Sequence, residues 1–63
     1  GLQSVTIINK SNAIADALAT GVFVMGKENG MKLIETLDDT EAMIIDSDGK
    51  IFYSSGFVKF LIN

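Results

Sequence analysis

Hydrophobic and polar positions along the chain change their spacing several times, and each change marks a predicted element boundary. The stretch Leu2–Asn9 (LQSVTIIN) combines β-branched residues with partial alternation, which predicts a strand. Ser11 or Asn12 then provides the N-cap of a helix from about Asn12 to Met25. Because this helix is apolar around almost its whole circumference, we predict that it is buried. Gly26 suits a left-handed residue that ends it.

A second helical pattern follows in Lys27–Leu37. Its inward positions are Met31, Ile34 and Leu37, and its outward positions are Lys27, Glu28, Lys32 and Glu35. A glycine in the first turns of a helix weakens it by about 1 kcal/mol relative to alanine. Gly30 therefore indicates a point where two helices approach closely.

The second half of the chain predicts an antiparallel hairpin. After a loop at residues 38–41, the runs AMIID (Ala42–Asp46) and IFYSS (Ile51–Ser55) flank an Asp-Gly turn at Asp48-Gly49. The closing GFVKFLIN is either a last edge strand or a short packing tail. Residues 1–63 thus predict one small α+β domain of order β-α-α-β-β, with two helices on a three- or four-stranded sheet.

Composition excludes several kinds of chemistry. The 63 residues include no cysteine, no histidine and no arginine, and the net charge is −3. A disulfide scaffold, a histidine-activated nucleophile and a typical zinc site are therefore excluded, and any metal should be an oxygen-liking ion such as Mg²⁺ or Ca²⁺. Five scattered lysines form no basic patch, which argues against nucleic-acid binding. No apolar run reaches the roughly 18 residues of a membrane span.

From Ala13 to Met25 every residue of the predicted helix is apolar or glycine except Asp16 and Thr20. At positions i and i+4 they leave the helix on the same face, where a carboxylate and a hydroxyl can share a hard cation. A structural interpretation stays open. Threonine often donates to the carbonyl four residues earlier, and an aspartate near a helix N-terminus is favoured by the helix dipole. A metal site is the sharper hypothesis, because a charge in a buried helix needs a partner.

Other polar motifs have simpler explanations. DSDGK (residues 46–50) resembles the start of a calcium loop, but the twelfth position from Asp46 is Phe57 instead of glutamate, so a turn is the better interpretation. Gly26 and Gly30 form G-x-x-x-G without the Lys-Ser/Thr of a phosphate loop. The hydroxyls of Tyr53, Ser54 and Ser55 have no predicted base beside them, so we assign them to a strand end and a turn.

The sequence resembles the C-terminal part of the FAD:protein FMN transferases, the ApbE family, also labelled thiamine-biosynthesis lipoproteins. The similarity runs from Ser4 to Phe57, through SVTII, ADALATGVFVMG, NGMKLIE and EAMIIDSDGKIFYSSGF. The block ADALATGVFVMG is its most specific part, with Gly21 where the family usually has alanine. In that family the aspartate and threonine that match Asp16 and Thr20 help to bind Mg²⁺ at the FAD pyrophosphate. The resemblance implies transfer of FMN from FAD onto a protein threonine, with release of AMP.

The resemblance also implies what this chain lacks. The FAD-binding parts of the family and its histidine-containing motif ahead of the SVT strand do not occur in the 63 residues. We therefore expect an inactive segment whose partner is the remainder of a transferase, with FAD as a substrate of the full-length enzyme. The alternative is a short non-catalytic relative that self-associates or binds a protein through apolar surface. A full-length parent is expected in the bacterial periplasm or anchored to a membrane, and a short relative could be cytoplasmic.

Overall fold

A computed structural model describes residues 1–62 of the chain, with side chains through residue 59. It confirms the predicted small α+β fold. Its elements, in chain order, are β1 (Leu2–Ile8), α1 (Asn12–Met25), α2 (Lys27–Thr36), β2 (Glu41–Asp46), β3 (Ile51–Tyr53) and α3 (Phe57–Ile62). The sixth element corrects the prediction of a last edge strand. A turn at residues 54–56 leads the chain away from the sheet, so the closing segment forms a short helix that buries Phe57.

The three strands form one antiparallel sheet in the order β1-β2-β3. Directly paired residues share a face, so Val5, Ile44 and Phe52 lie side by side on the face toward α1 and α2. A register shift between Leu2 and Ser4 inserts one extra residue into β1. This irregularity places Leu2 on the same face as Val5, although their odd separation would put them on opposite faces of a regular strand.

The core lies between the sheet and the two helices. The sheet and both helices contribute fully buried side chains to it: Val22 from α1, Ile34 from α2, and Ala42 and Ile44 from β2. Helix α1 packs on β1, whereas α2 packs on α1 and β2. The side chain of Ser11 accepts a hydrogen bond from the Ile14 N–H at 3.2 Å, which confirms the predicted N-cap of α1.

The prediction that α1 is buried on all sides is wrong. Val22 is fully buried, but Val24 is 83% exposed, and Ile14 and Phe23 are about half exposed. One thin sheet and one neighbouring helix cover only the inner side of α1. Its outer side therefore faces solvent despite being apolar.

Helices α1 and α2 meet at two glycines. Gly26 has φ +88° and ψ 167°, so it adopts the predicted positive φ but lies outside the left-handed helical region. Its N–H still donates to the Val22 carbonyl at 3.0 Å, and α2 starts at the next residue. Gly30 is buried against Val22, which confirms the predicted close contact between helices.

Two residues of the predicted second helix, Lys27 and Leu37, differ from the positions that the pattern predicted. The Lys27 side chain was predicted to face outward; it is 40% exposed but pairs with the buried carboxylate of Asp46 at 3.1 Å, with its ammonium group 4.5 Å from the Phe52 ring centre. Leu37 follows the helix as its C-cap and is 36% exposed, so it is not an inward position. The ion pair with Asp46 on β2 thus fixes where the Lys27 ammonium group lies, which the amphipathic pattern did not predict.

The DSDGK segment is a turn, as predicted. Asp46 Oδ1 accepts hydrogen bonds from the backbone N–H groups of Asp48 and Lys50, at 2.9 and 3.0 Å, while Oδ2 binds Lys27. Burial raises the pKa of Asp46, but the hydrogen bonds from Lys50, Lys27 and Asp48 outweigh it, so the pKa lies below its usual value. This carboxylate ties the hairpin turn to the start of α2.

Candidate functional site

Asp16 and Thr20 lie one turn apart on α1, and both are exposed on its outer side. The Thr20 hydroxyl donates to the Asp16 carbonyl oxygen at 3.2 Å, which is the back-bond that the structural interpretation predicts. This bond uses the only hydrogen of the hydroxyl. The lone pairs of Thr20 Oγ1 therefore remain available to a cation or a donor.

Small and apolar residues surround this polar pair. Ala13, Ala17 and Val24 lie on the same outer side of α1 as Asp16 and Thr20, at helical spacing, and all three are exposed. The reasoning that a charge in a buried helix needs a partner does not apply here, because Asp16 is exposed. Among the described side chains, the one ion pair joins Lys27 to Asp46, so no cation of this chain neutralises Asp16.

The donor set suits a hard cation but is incomplete. A carboxylate and a hydroxyl are oxygen ligands of the kind that Mg²⁺ and Ca²⁺ take, and both ions need about six or more ligands in all. Within the part of the chain whose side chains are described, no group of three or more His, Cys, Asp or Glu residues could hold a metal. Asp16 and Thr20 can thus supply two ligands, and water, substrate or another polypeptide would have to supply the rest.

The serine hydroxyls of the SSG turn have structural partners. Ser54 is 2% exposed; it donates to the Glu41 carboxylate and accepts from the Ala42 N–H at 2.8 Å. The expectation that no base lies beside these hydroxyls is therefore wrong for Ser54, which bonds Glu41, and for Ser55, which bonds Glu35. Glu41 also accepts from the Gly56 N–H at 3.1 Å. The Glu35 carboxylate accepts from both the N–H and the hydroxyl of Ser55, each at 3.1 Å. The two glutamates thus hold the turn in place. Ser54 is buried and bonded on both sides, whereas Ser55 is exposed with its hydroxyl donating to Glu35.

Neither glutamate could have been assigned this role from the sequence. Glu35 was predicted to face solvent, and Glu41 was placed in a loop, whereas it is the first residue of β2. Both partnerships join residues far apart in the chain. The only local signal was the serine pair itself, which is typical of turns.

The fold and the site define a small α+β unit that presents a carboxylate and a hydroxyl on the exposed, otherwise apolar side of α1. The chain belongs to the ApbE family, whose sequence model matches residues 1–44. The FAD:protein FMN transferase of Vibrio cholerae serotype O1 (strain ATCC 39541 / Classical Ogawa 395 / O395) is 45% identical to it over 60 residues. The match covers 92% of this chain and 18% of that relative. No solved structure matches the chain. The ApbE-family membership predicted from the ADALATGVFVMG block is confirmed.

No helix among residues 1–62 is long and apolar enough to cross a membrane.

Proposed function

We propose that this chain is the cation-binding segment of a flavin transferase that moves FMN from FAD onto a threonine of a target protein. The observation that carries the proposal is the position of Asp16 and Thr20, side by side and accessible within the block that resembles the family most closely. Membership of the ApbE family and the name of the Vibrio cholerae relative support the reaction class.

Each residue of the pair has a distinct role in this proposal. Asp16 offers the anionic oxygen that a divalent cation needs, and Thr20 offers a neutral oxygen whose hydrogen already points to the Asp16 carbonyl. When bound, Mg²⁺ supplies Lewis acidity and a template at the pyrophosphate of FAD. The neighbouring Ala13, Ala17 and Val24 would exclude water once another surface covers them, which strengthens charge interactions at the site.

The proposal also includes a partner. Because the match spans 18% of the relative, we propose that the remainder of a transferase supplies the FAD site and the other ligands, and that the 63-residue chain is inactive alone. The exposed apolar side of α1 supports this partner, since contiguous exposed apolar surface often marks an interaction site.

Paramagnetic broadening of amide NMR signals tests the cation site directly. Mn²⁺, added in trace amounts to the 63-residue chain, should broaden signals around Asp16 and Thr20 first. Asp16→Ala should remove this broadening, whereas Asp38→Asn, which changes an exposed acid elsewhere, should not. Broadening centred on Asp38, Asp39 or Asp48, or none at all, would contradict the assignment.

A stability measurement separates a ligand from a structural residue. Asp16 is exposed, so Asp16→Asn should change the free energy of unfolding of the isolated chain by no more than about 0.5 kcal/mol. The matching change in a full-length transferase should abolish FMN transfer. A loss above about 2 kcal/mol in the isolated chain would instead assign Asp16 a structural hydrogen bond.

The second candidate function is a non-catalytic interaction module, favoured by the same apolar side of α1. It predicts self-association or protein binding that Val24→Asp weakens, because Val24 is 83% exposed there. Such binding without Mn²⁺ broadening at Asp16 would favour the module over the transferase segment.

A further inference from the structure

Strand β1 leaves one of its edges unpaired within residues 1–62. On the β2 side, the hydrogen-bonding direction follows from observed bonds. The Ala42 carbonyl accepts from the Ser54 N–H at 2.9 Å, and the Asp46 N–H donates to the Lys50 carbonyl at 3.0 Å. The backbone N–H and C=O groups of the even-numbered residues of β2 are therefore directed toward β3 and its flanking residues. Backbone groups alternate in direction along an antiparallel strand, so the N–H and C=O of Met43 are directed toward β1.

The alternation in β1 then identifies the free groups. Met43 is paired with Thr6, so Thr6 uses its N–H and C=O in the bond to β2. The backbone N–H and C=O groups of Val5 and Ile7 must be directed the other way, toward the free edge. Each therefore presents a backbone donor and a backbone acceptor with no strand beside it among the described elements.

This edge lacks the devices that normally prevent pairing. β1 is seven residues long and has no charge and no proline, whereas β3, at the opposite edge, is only three residues long. Natural edge strands are usually short, charged, interrupted by proline or covered. The bulge near Leu2 affects only the start of β1. Val5 and Ile7 therefore lie on an edge suited to receive another strand.

An apolar groove runs beside the same edge. It has a volume of about 340 Å³ and is lined by Val5 of β1 and by Ala19, Thr20 and Phe23 of α1. Phe23 is 49% exposed. A strand bonded to Val5 and Ile7 would turn every second side chain into this groove, next to Thr20.

A second copy of the chain fits this position poorly. Paired strands lie about 4.8 Å apart, and each copy carries α1 on its own β1. Two α1 helices would then be forced close together, whereas packed helix axes need about 8–10 Å. The edge suits an extended segment with no helix above it.

We propose that the free edge of β1 accepts one extended β-strand from the part of a transferase polypeptide outside the matched region, with its apolar side chains in the groove beside Thr20. This inference rests on the proposed function for the identity of the partner. It adds the place and the manner of contact: backbone bonds at Val5 and Ile7, and packing against Ala19 and Phe23.

Amide hydrogen exchange measures this pairing residue by residue. In the isolated chain, Val5 and Ile7 should exchange nearly as fast as unstructured amides, while Thr6 and Ile8 serve as internal controls protected by β2. In a full-length chimera, this chain replaces the matched segment of the Vibrio cholerae transferase. There, exchange at Val5 and Ile7 should slow at least 100-fold. If the chimera does not fold, the unmodified transferase is measured at the positions that align with Val5 and Ile7.

The outcomes separate this inference from the proposed function. Fast exchange at Val5 and Ile7 in the full-length protein overturns the strand pairing, even if FMN transfer is intact. Slow exchange without FMN transfer supports the pairing and counts against the proposed function. An isolated chain that sediments as a dimer with Val5 and Ile7 protected also overturns the inference, because a second copy would then occupy the edge.

Discussion

Replacing Gly30 by alanine should destabilise the chain, although alanine is the better helix former. An ideal Cβ at Gly30 would lie 2.6 Å from Val22 Cγ1 and 3.2 Å from Val22 Cβ. Val22 is fully buried, and a valine in a helix strongly prefers one χ1 rotamer, so its methyl group cannot turn away easily. Overpacking of this kind costs about 1–3 kcal/mol. The better helix propensity of alanine offsets about 1 kcal/mol of this cost, so the free energy of unfolding should fall by roughly 1 kcal/mol.

Thermal unfolding followed by circular dichroism measures this loss. For a domain of this size, 1 kcal/mol corresponds to about 4–8 °C in Tm. Gly21→Ala is the matched control, since Gly21 lies inside α1 and a Cβ there meets nothing within 4 Å. It should raise the stability by about 0.5–1 kcal/mol. If Gly30→Ala raises Tm as much as Gly21→Ala does, α2 does not approach Val22 this closely and the packing argument fails.

Two further predictions concern the core and the buried carboxylate. Leu18 is half buried and packs against the core, so Leu18→Ala should cost about 2 kcal/mol, the low end for such truncations, whereas Val24→Ala should stay within about 0.5 kcal/mol. Equal unfolding curves for both variants would contradict the burial of Leu18. The folded pKa of Asp46 is lowered, so its contribution to stability is complete above its unfolded pKa of about 3.9 and is lost as the pH falls through the lower folded value. Denaturant midpoints between pH 2 and 6 should rise with pH, and Asp46→Asn should flatten that rise; an unchanged slope would refute it.

Local signals in the sequence were sufficient for most of the fold. The bounds of α1 agree with the prediction from Asn12 to Met25, because a serine cap and a glycine end are encoded next to the helix. The Asp-Gly turn located the hairpin in the same way. The closing segment could not be decided locally, because its direction depends on Glu35 and Glu41, which bind the SSG turn from distant parts of the chain.

The candidate site was predicted only in part. The spacing of Asp16 and Thr20 correctly placed both side chains on one face of α1, and the back-bond from Thr20 was foreseen as an alternative. Their exposure was not foreseen, because an apolar pattern reports which residues avoid water but not which surface covers them. Lys27 shows a related gap: the pattern assigned it to solvent and its side chain is 40% exposed, but its ammonium group pairs with the buried Asp46, a partner that no local pattern reports.

The apolar outer side of α1 is best explained by a surface other than the core of this chain. Nearly half of the 63 residues are hydrophobic, yet within the part of the chain whose side chains are described only five hydrophobic residues are buried. A chain this short buries only about 60% of its unfolded surface, so a core of this size cannot use so many apolar residues. The groove at Val5 and Phe23 lies beside the same helix that carries Asp16 and Thr20. A partner that adds a strand at β1, as proposed above, would therefore cover apolar surface and approach the proposed cation site in one docking step, which links the helix composition to that site.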